Sequence, residues 1–165
     1  MNNAVKYINF RFPSFGLSIA YDEQQLINAR FFNPELENLP EFDGDICQLG
    51  YEIRAQLAEY LKNPQFKFNL PYQLHGTPHQ LKIWQVMQTI DCGKTMTYGQ
   101  VANLIGSAPR AVGGACGKNP LPVIVPCHRI IAMNNKLGGF NSGNIFFSLG
   151  IKRWLLNHEG VVLNN

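Results

Sequence analysis

Pro126-Cys127-His128-Arg129 sets a thiol, an imidazole and a guanidinium side by side, directly after the apolar run Val123-Ile124-Val125 and just before Ile130-Ile131. The apolar run predicts a short buried strand, from which thiol and imidazole would emerge together on a rigid element. Cysteine is a nucleophile only as the thiolate, and an adjacent histidine can take its proton directly or through one water. Cys47, Cys92 and Cys116 read as small buried hydrophobes. The polar neighbours of Cys127 set it apart. No Cys-x-x-Cys pair occurs and the four cysteines are unevenly spaced, so neither a disulfide framework nor structural zinc is expected, and a reducing compartment fits.

The elements that must hold these groups can be read from pattern. The 165 residues are 45% apolar and 15% charged, which excludes disorder and fibrous repeats. No apolar run approaches the roughly 18 residues of a membrane span, and Met1 to Phe10 lacks the form of a leader, so the chain is expected inside the cell. Residues 1–70 carry six Lys or Arg against nine Asp or Glu, and residues 71–165 carry eight against two, or −3 and +6. That asymmetry suggests a solvated scaffold followed by a part that meets a polyanion. Val5 to Phe12, Gly16 to Tyr21 and Gln25 to Phe32 alternate as strands of a small antiparallel sheet. Leu49, Ile53, Leu57, Tyr60 and Leu61 fall at helical intervals, and Phe66 to Leu70 predicts a further strand.

Composition and charge change at Pro71 to Gly76, the expected domain boundary. Beyond it, Thr77-Pro78 opens a helix with Ile83, Val86, Met87 and Ile90 on one face. Thr97-Tyr98-Gly99-Gln100 has capping-box spacing for a second helix ending at Gly106, and Ser107 can cap a third over Ala108 to Cys116. Two short helices joined by so tight a turn predict a helix-turn-helix. Gly113 and Gly114 inside the third helix cost about 1 kcal/mol each relative to alanine. Small residues let a helix backbone approach a neighbour closely, either another helix or a nucleic-acid backbone. Arg110 at the helix start could reach along a groove or into a base stack.

The run Asn119-Pro120-Leu121-Pro122-Val123-Ile124-Val125-Pro126-Cys127-His128-Arg129-Ile130-Ile131 closely resembles the active-site signature of the O6-alkylguanine-DNA alkyltransferases, or methylated-DNA–protein-cysteine methyltransferases. Gly76-Thr77-Pro78, Thr97 to Gln100, Arg110 to Ala115 and Trp154 to Gly160 follow the family's order, so the resemblance spans residues 76–160. It implies an α+β chain: a ribonuclease-H-like α/β scaffold over 1–75, and a mostly helical, winged-helix-like domain over 76–165 that binds DNA and accepts the alkyl group. Cys127 would attack the alkyl carbon on guanine O6, or on thymine O4, with His128 as water-mediated base and Glu159 orienting it. Tyr98 would donate to the departing base, and Asn119 would be the hinge between recognition helix and active-site strand. DNA contacts would come from Arg110, filling the place of an extruded nucleotide, with Ala111, Gly113, Gly114, Thr97 and Arg129. Pro122, Phe140, Asn141 and Ser142 would shape the alkyl pocket.

A thioether has no electrophilic carbonyl and no good leaving group, so each molecule should react once. No metal or organic cofactor is implied. The expected partner is double-stranded DNA containing alkylated bases, met by a monomer in the cytoplasm and away from membranes. Three departures stand out. His79 replaces a usual aromatic, Phe140 replaces a tyrosine, and Asn144 to Ser148 reads as a lengthened loop, with the last helix starting at Leu149 or Gly150. Two other functions fit some of these residues. A non-reacting sensor of alkylated bases would lack the cysteine, and a Cys-His-Glu hydrolase would have no use for a helix-turn-helix and Arg110.

Overall fold

The computed structural model describes residues 4–140 and 144–164, so Asn141 and Ser142 lie outside the described residues. The chain forms two compact units, Met1–Leu74 and His75–Asn165, and is mixed α/β with an antiparallel sheet and five α-helices among the described residues.

In the first unit β1 (Lys6–Arg11), β2 (Gly16–Tyr21) and β3 (Leu26–Phe32) pair antiparallel, and β4 (Phe42–Asp43) adds to β1, in the order β3-β2-β1-β4. Asp22 shapes the turn between β2 and β3: its carboxylate accepts from the backbone N–H groups of Gln24 and Gln25 at 2.7 and 2.8 Å. Helix α1 (Gln48–Lys62) packs on β1 and buries Leu49, Ile53, Leu57 and Tyr60. Complete burial of an aliphatic side chain such as Ile53 or Leu57 contributes roughly 1.5–3 kcal/mol.

Phe66 to Leu70 is not the strand its alternation predicts. The side-chain amide of Gln56 on α1 takes both backbone groups of Asn69, donating to its carbonyl at 3.0 Å and accepting from its N–H at 2.8 Å. Asn69 thus satisfies its backbone groups on a helix instead of a strand, and Leu26 and Tyr72 just beyond form an isolated bridge.

The second unit is helical. Helix α2 (Pro78–Thr89) and helix α3 (Tyr98–Ile105) both open on a full capping box, Thr77 with Gln80 and Thr97 with Gln100. Gly106 ends α3 at φ 66°, ψ 45°, a left-handed conformation open to glycine at little cost, and α4 (Pro109–Gly117) begins three residues on. This is the helix-turn-helix. Ser107 does not cap α4: its hydroxyl meets His79 Nε2 at 2.8 Å, and Ala108 occupies the cap position. Trp84, buried on α2, donates its indole N–H to the Ala115 carbonyl at 3.0 Å and pins the glycine-rich helix.

Between α4 and the last helix the chain makes a 3-10 turn, Cys127–Arg129, then β6 (Ile130–Ile131), which pairs parallel with β5 (Met96–Thr97). That pairing places Thr97 and Tyr98, at the start of α3, beside the end of the cysteine turn. Helix α5 (Ile145–His158) begins four or five residues earlier than the loop reading expects. Asn144 is its cap, accepting from the N–H groups of Phe146 and Phe147 at 3.0 and 3.2 Å, which makes the supposed loop the first helical turn. No helix among the described residues is long and apolar enough to cross a membrane.

Candidate active site

Val123 to Val125 is a tight turn and not a strand. Val125 N–H donates to the Leu121 carbonyl at 2.8 Å, and Val123 sits at φ 74°. Pro120, Pro122 and Pro126 lack the N–H groups that a ladder needs, so an extended pairing was unavailable to this apolar run. A β-branched residue in the left-handed region costs of order 1–3 kcal/mol, sustained here by complete burial of the turn. Asn119 closes the structure from the side. Its amide donates to the Val125 carbonyl at 2.8 Å and accepts from Leu121 N–H at 3.0 Å, while its own N–H holds the Cys116 carbonyl at the end of α4.

Cys127 is 5% exposed. Burial pushes its thiol pKa up, so the resting sulfur is protonated. Opposing that are a hydrogen bond from Asn119, the charge of Lys152 and the N–H groups of the turn itself, all of which favour the thiolate. The adjacent His128 is wholly buried, with Nε2 2.9 Å from Glu159 Oε1, and Nδ1 has no hydrogen-bond partner among the described residues. Burial lowers the imidazole pKa against the pull of Glu159, so His128 is neutral. With its hydrogen on Nε2 facing the carboxylate, the bare acceptor is Nδ1.

Arg129 departs from expectation. Instead of lying on a DNA-facing surface it turns inward, donating from Nε to Glu159 Oε2 and from Nη2 to Glu159 Oε1, both at 2.9 Å, and from Nη1 to the Ile90 carbonyl at 2.6 Å. A buried carboxylate provides the stronger site for a guanidinium than open solvent near a phosphate. Burial would raise the Glu159 pKa, but the hydrogen bonds from His128 and Arg129 and the charge of Arg129 hold it well below the usual carboxylate range.

A cavity of about 520 Å³ opens over the thiol, walled by Tyr98, Arg110, Gly113, Cys116, Cys127 and Phe140 among others. Pro122 is not on that wall; it is buried in the turn, bridged to Val125. Behind the wall lies Lys152, which pattern reading missed. It is 0% exposed, donates to the Gly139 carbonyl at 2.8 Å and to Tyr98 Oη at 3.3 Å, and lies over the Tyr98 and Phe140 rings. The Tyr98 hydroxyl donates to the same carbonyl at 3.1 Å. Burial lowers the Lys152 pKa to about 8, offset in part by Cys127 and Cys116. One signal could have revealed it: Ser148, Ile151, Lys152, Leu155 and Leu156 form the inward stripe of α5, and a lysine there has to be buried.

Gly138, at φ 71°, lets the backbone pass against Tyr98, where an added Cβ would lie 2.9 Å from the ring and 3.3 Å from Ala132 N. Gly138→Ala should therefore lose about 1–3 kcal/mol and displace the ring. A melting curve with near-ultraviolet circular dichroism checks this; an unchanged midpoint and tyrosine signal would contradict it. On the outer face, Arg110, Ala111 and Gly114 are exposed on α4, Gly113 is half-buried beside Tyr98, and Thr97 is engaged in capping α3.

Fold and site define a helix-turn-helix protein built around a buried cysteine with an imidazole–carboxylate pair behind it. Residues 78–161 match the model of the 6-O-methylguanine DNA methyltransferase DNA-binding domain. The chain belongs to this methyltransferase family. It is 35% identical over 157 residues to a methylated-DNA–protein-cysteine methyltransferase of Methanosarcina acetivorans, covering 93% of this chain and 97% of that one. A protein so named from Shigella flexneri is 45% identical over 114 residues, 67% of this chain, and the match spans 64% of the relative's length. Mycobacterium tuberculosis OGT, crystallised in complex with DNA, superposes with a TM-score of 0.75 at 30% identity, over 93% of this chain and 91% of that one.

Proposed function

We propose that this protein repairs DNA by moving the alkyl group of O6-alkylguanine, and of O4-alkylthymine, onto its own Cys127, once per molecule. The observation that carries the reading is a single cavity walled by a nucleophilic sulfur, a tyrosine and the recognition-helix arginine. His128 Nδ1 takes the thiol proton through a water, and Glu159 holds the imidazole. The sulfur displaces the base in line at the alkyl carbon; the C–O bond breaks, and Tyr98 donates a hydrogen bond to the base as charge develops on it. Asn119 ties α4 to the cysteine turn. Residues 1–75 act as a ribonuclease-H-like scaffold, and residues 76–165 as a winged-helix-like DNA-binding and acceptor domain. The protein works as a monomer in the cytoplasm on double-stranded DNA.

DNA contact is assigned to the exposed face of α4, where Ala111, Gly113 and Gly114 allow close approach in the minor groove, with Thr97 at the edge and Arg110 filling the stack. Incubation with an O6-methylguanine duplex should place one methyl group on the Cys127 peptide and saturate at one per protein; repeated turnover, or label elsewhere, would overturn the reading. Arg110→Ala should slow repair of duplex DNA by about 100-fold yet change reaction with free O6-benzylguanine by less than about threefold. Equal losses on both substrates would remove the extrusion role. Duplex binding should weaken with salt, because phosphate contacts release counterions.

A further inference from the structure

Glu159 has two positively disposed neighbours where a simple nucleophile–base–acid set needs one. Its two oxygens carry His128 Nε2 at 2.9 Å and the fork of Arg129 through Nε and Nη2, both at 2.9 Å, and the Arg129 fork is anchored in turn on the Ile90 carbonyl at the end of α2. The carboxylate and the imidazole are shielded from bulk solvent, and the Arg129 side chain is 15% exposed. Charges in such a place must sum close to zero. With Arg129 present, carboxylate and guanidinium cancel and the imidazole stays neutral. We infer that Arg129 is a positioning residue for the proton transfer: by neutralising Glu159 it keeps His128 in the one form whose Nδ1 can accept the proton of Cys127. This inference rests on the alkyl-transfer reading above and extends it to a residue that touches neither sulfur nor base.

The physical reasoning is a count of protons. If a neutral side chain replaces Arg129, the buried pair is one positive charge short, and one proton makes up the difference at neutral pH. That proton can settle in two places. On the imidazole, it gives an imidazolium with hydrogen on both nitrogens. On the carboxylate, it gives a carboxylic acid that donates to Nε2, which moves the imidazole hydrogen to Nδ1. In both cases Nδ1 carries a hydrogen and can no longer take one from the thiol. Burial favours the neutral imidazole as well, and the charge of Lys152 on α5 acts in the same direction. Other titratable groups near the pair among the described residues include Cys127 in the same turn, and Cys92 with Asp91 just after α2. Asp91 is exposed and Cys92 is a thiol, so neither replaces the missing cation.

Arg129→Met removes the charge and keeps an unbranched apolar side chain; Arg129→Lys keeps the charge. Both are to be compared with the unaltered protein in single-turnover methyl transfer from a saturating O6-methylguanine duplex across pH. Arg129→Met should be at least about tenfold slower at neutral pH and recover as pH rises toward about 9, an upward shift of the rate inflection by about one unit or more. Arg129→Lys should stay near the original profile. The double variant Arg129→Met with Glu159→Gln restores neutrality, because a glutamine carbonyl accepts from Nε2–H and leaves Nδ1 bare; it should react faster at neutral pH than Arg129→Met alone. Nitrogen NMR of His128 should show hydrogen on Nδ1 at neutral pH in Arg129→Met and none in the unaltered protein. A uniform loss at every pH, an unchanged profile, or a double variant no faster than the single one would overturn the inference. If the unaltered protein transfers no methyl group, the functional reading fails, and the histidine NMR still decides the role of Arg129.

Discussion

A Cys127→Ser protein should bind alkylated duplex DNA and remove nothing from it, with single-turnover transfer reduced by about 10⁴-fold or more. The substitution exchanges sulfur for a smaller oxygen at a site 5% exposed, in a turn already held by Asn119 and by the Val125–Leu121 hydrogen bond, so the fold and the outer face of α4 persist. What disappears is the chemistry. A thiol can be ionised by a neutral imidazole with help from Lys152 and the turn's N–H groups, whereas an alcohol in the same environment holds its proton far more tightly and is a poor nucleophile toward saturated carbon. Single-turnover transfer and a binding isotherm on the same duplex check both halves. Appreciable transfer by the serine protein, or methyl found on Cys116 on the same cavity wall, would displace Cys127 from its role.

The second large effect concerns stability. Glu159→Gln should destabilise the fold by about 3 kcal/mol at neutral pH, because it removes the carboxylate from a buried pair and leaves the Arg129 guanidinium without its counter-charge. It also predicts how stability depends on acid. The folded pKa of Glu159 lies below its unfolded value, so its contribution is complete above about pH 4.3 and is lost as pH falls through the folded value. His128 acts in the same direction from higher pH: its folded pKa is also depressed, the unfolded chain therefore binds the extra proton first, and stability begins to fall below about pH 6.5. Denaturant unfolding at a series of pH values should show the gap between Glu159→Gln and the unaltered protein narrowing below about pH 4. A constant gap down to pH 2 would mean that the carboxylate stabilises by packing and not by charge.

Much of the site was legible because it is local in the chain. Cys127 and His128 are neighbours, and the Asn119 turn is written in its prolines. The capping box at Thr97 is a four-residue pattern whose hydrogen bonds the structure places where spacing predicts, and the helix start expected at Thr77 proves to be a full box with Gln80. The three main strands and α1 follow alternation and helical period to within one or two residues. Errors arose where a local pattern had two solutions and distant partners chose between them. Val123 to Val125 is apolar enough for a strand, but flanking prolines deny it donors. Phe66 to Leu70 alternates, but Gln56 takes the backbone of Asn69. Asn144 reads as a loop residue until its side chain is seen capping α5.

By itself the amino-acid order determined which groups could react and which helices would form, since the thiol–imidazole pair, the caps and the apolar stripes are each defined within a few residues. The tertiary structure alone decided the direction in which charged side chains point. Arg129 faces Glu159 and not solvent because α5 delivers a carboxylate to it from thirty residues away. Lys152 is buried behind Tyr98 because α5 packs its inward stripe onto the cavity wall. Electrostatic energy depends on distance and burial in space, and neither is a property of position along the chain.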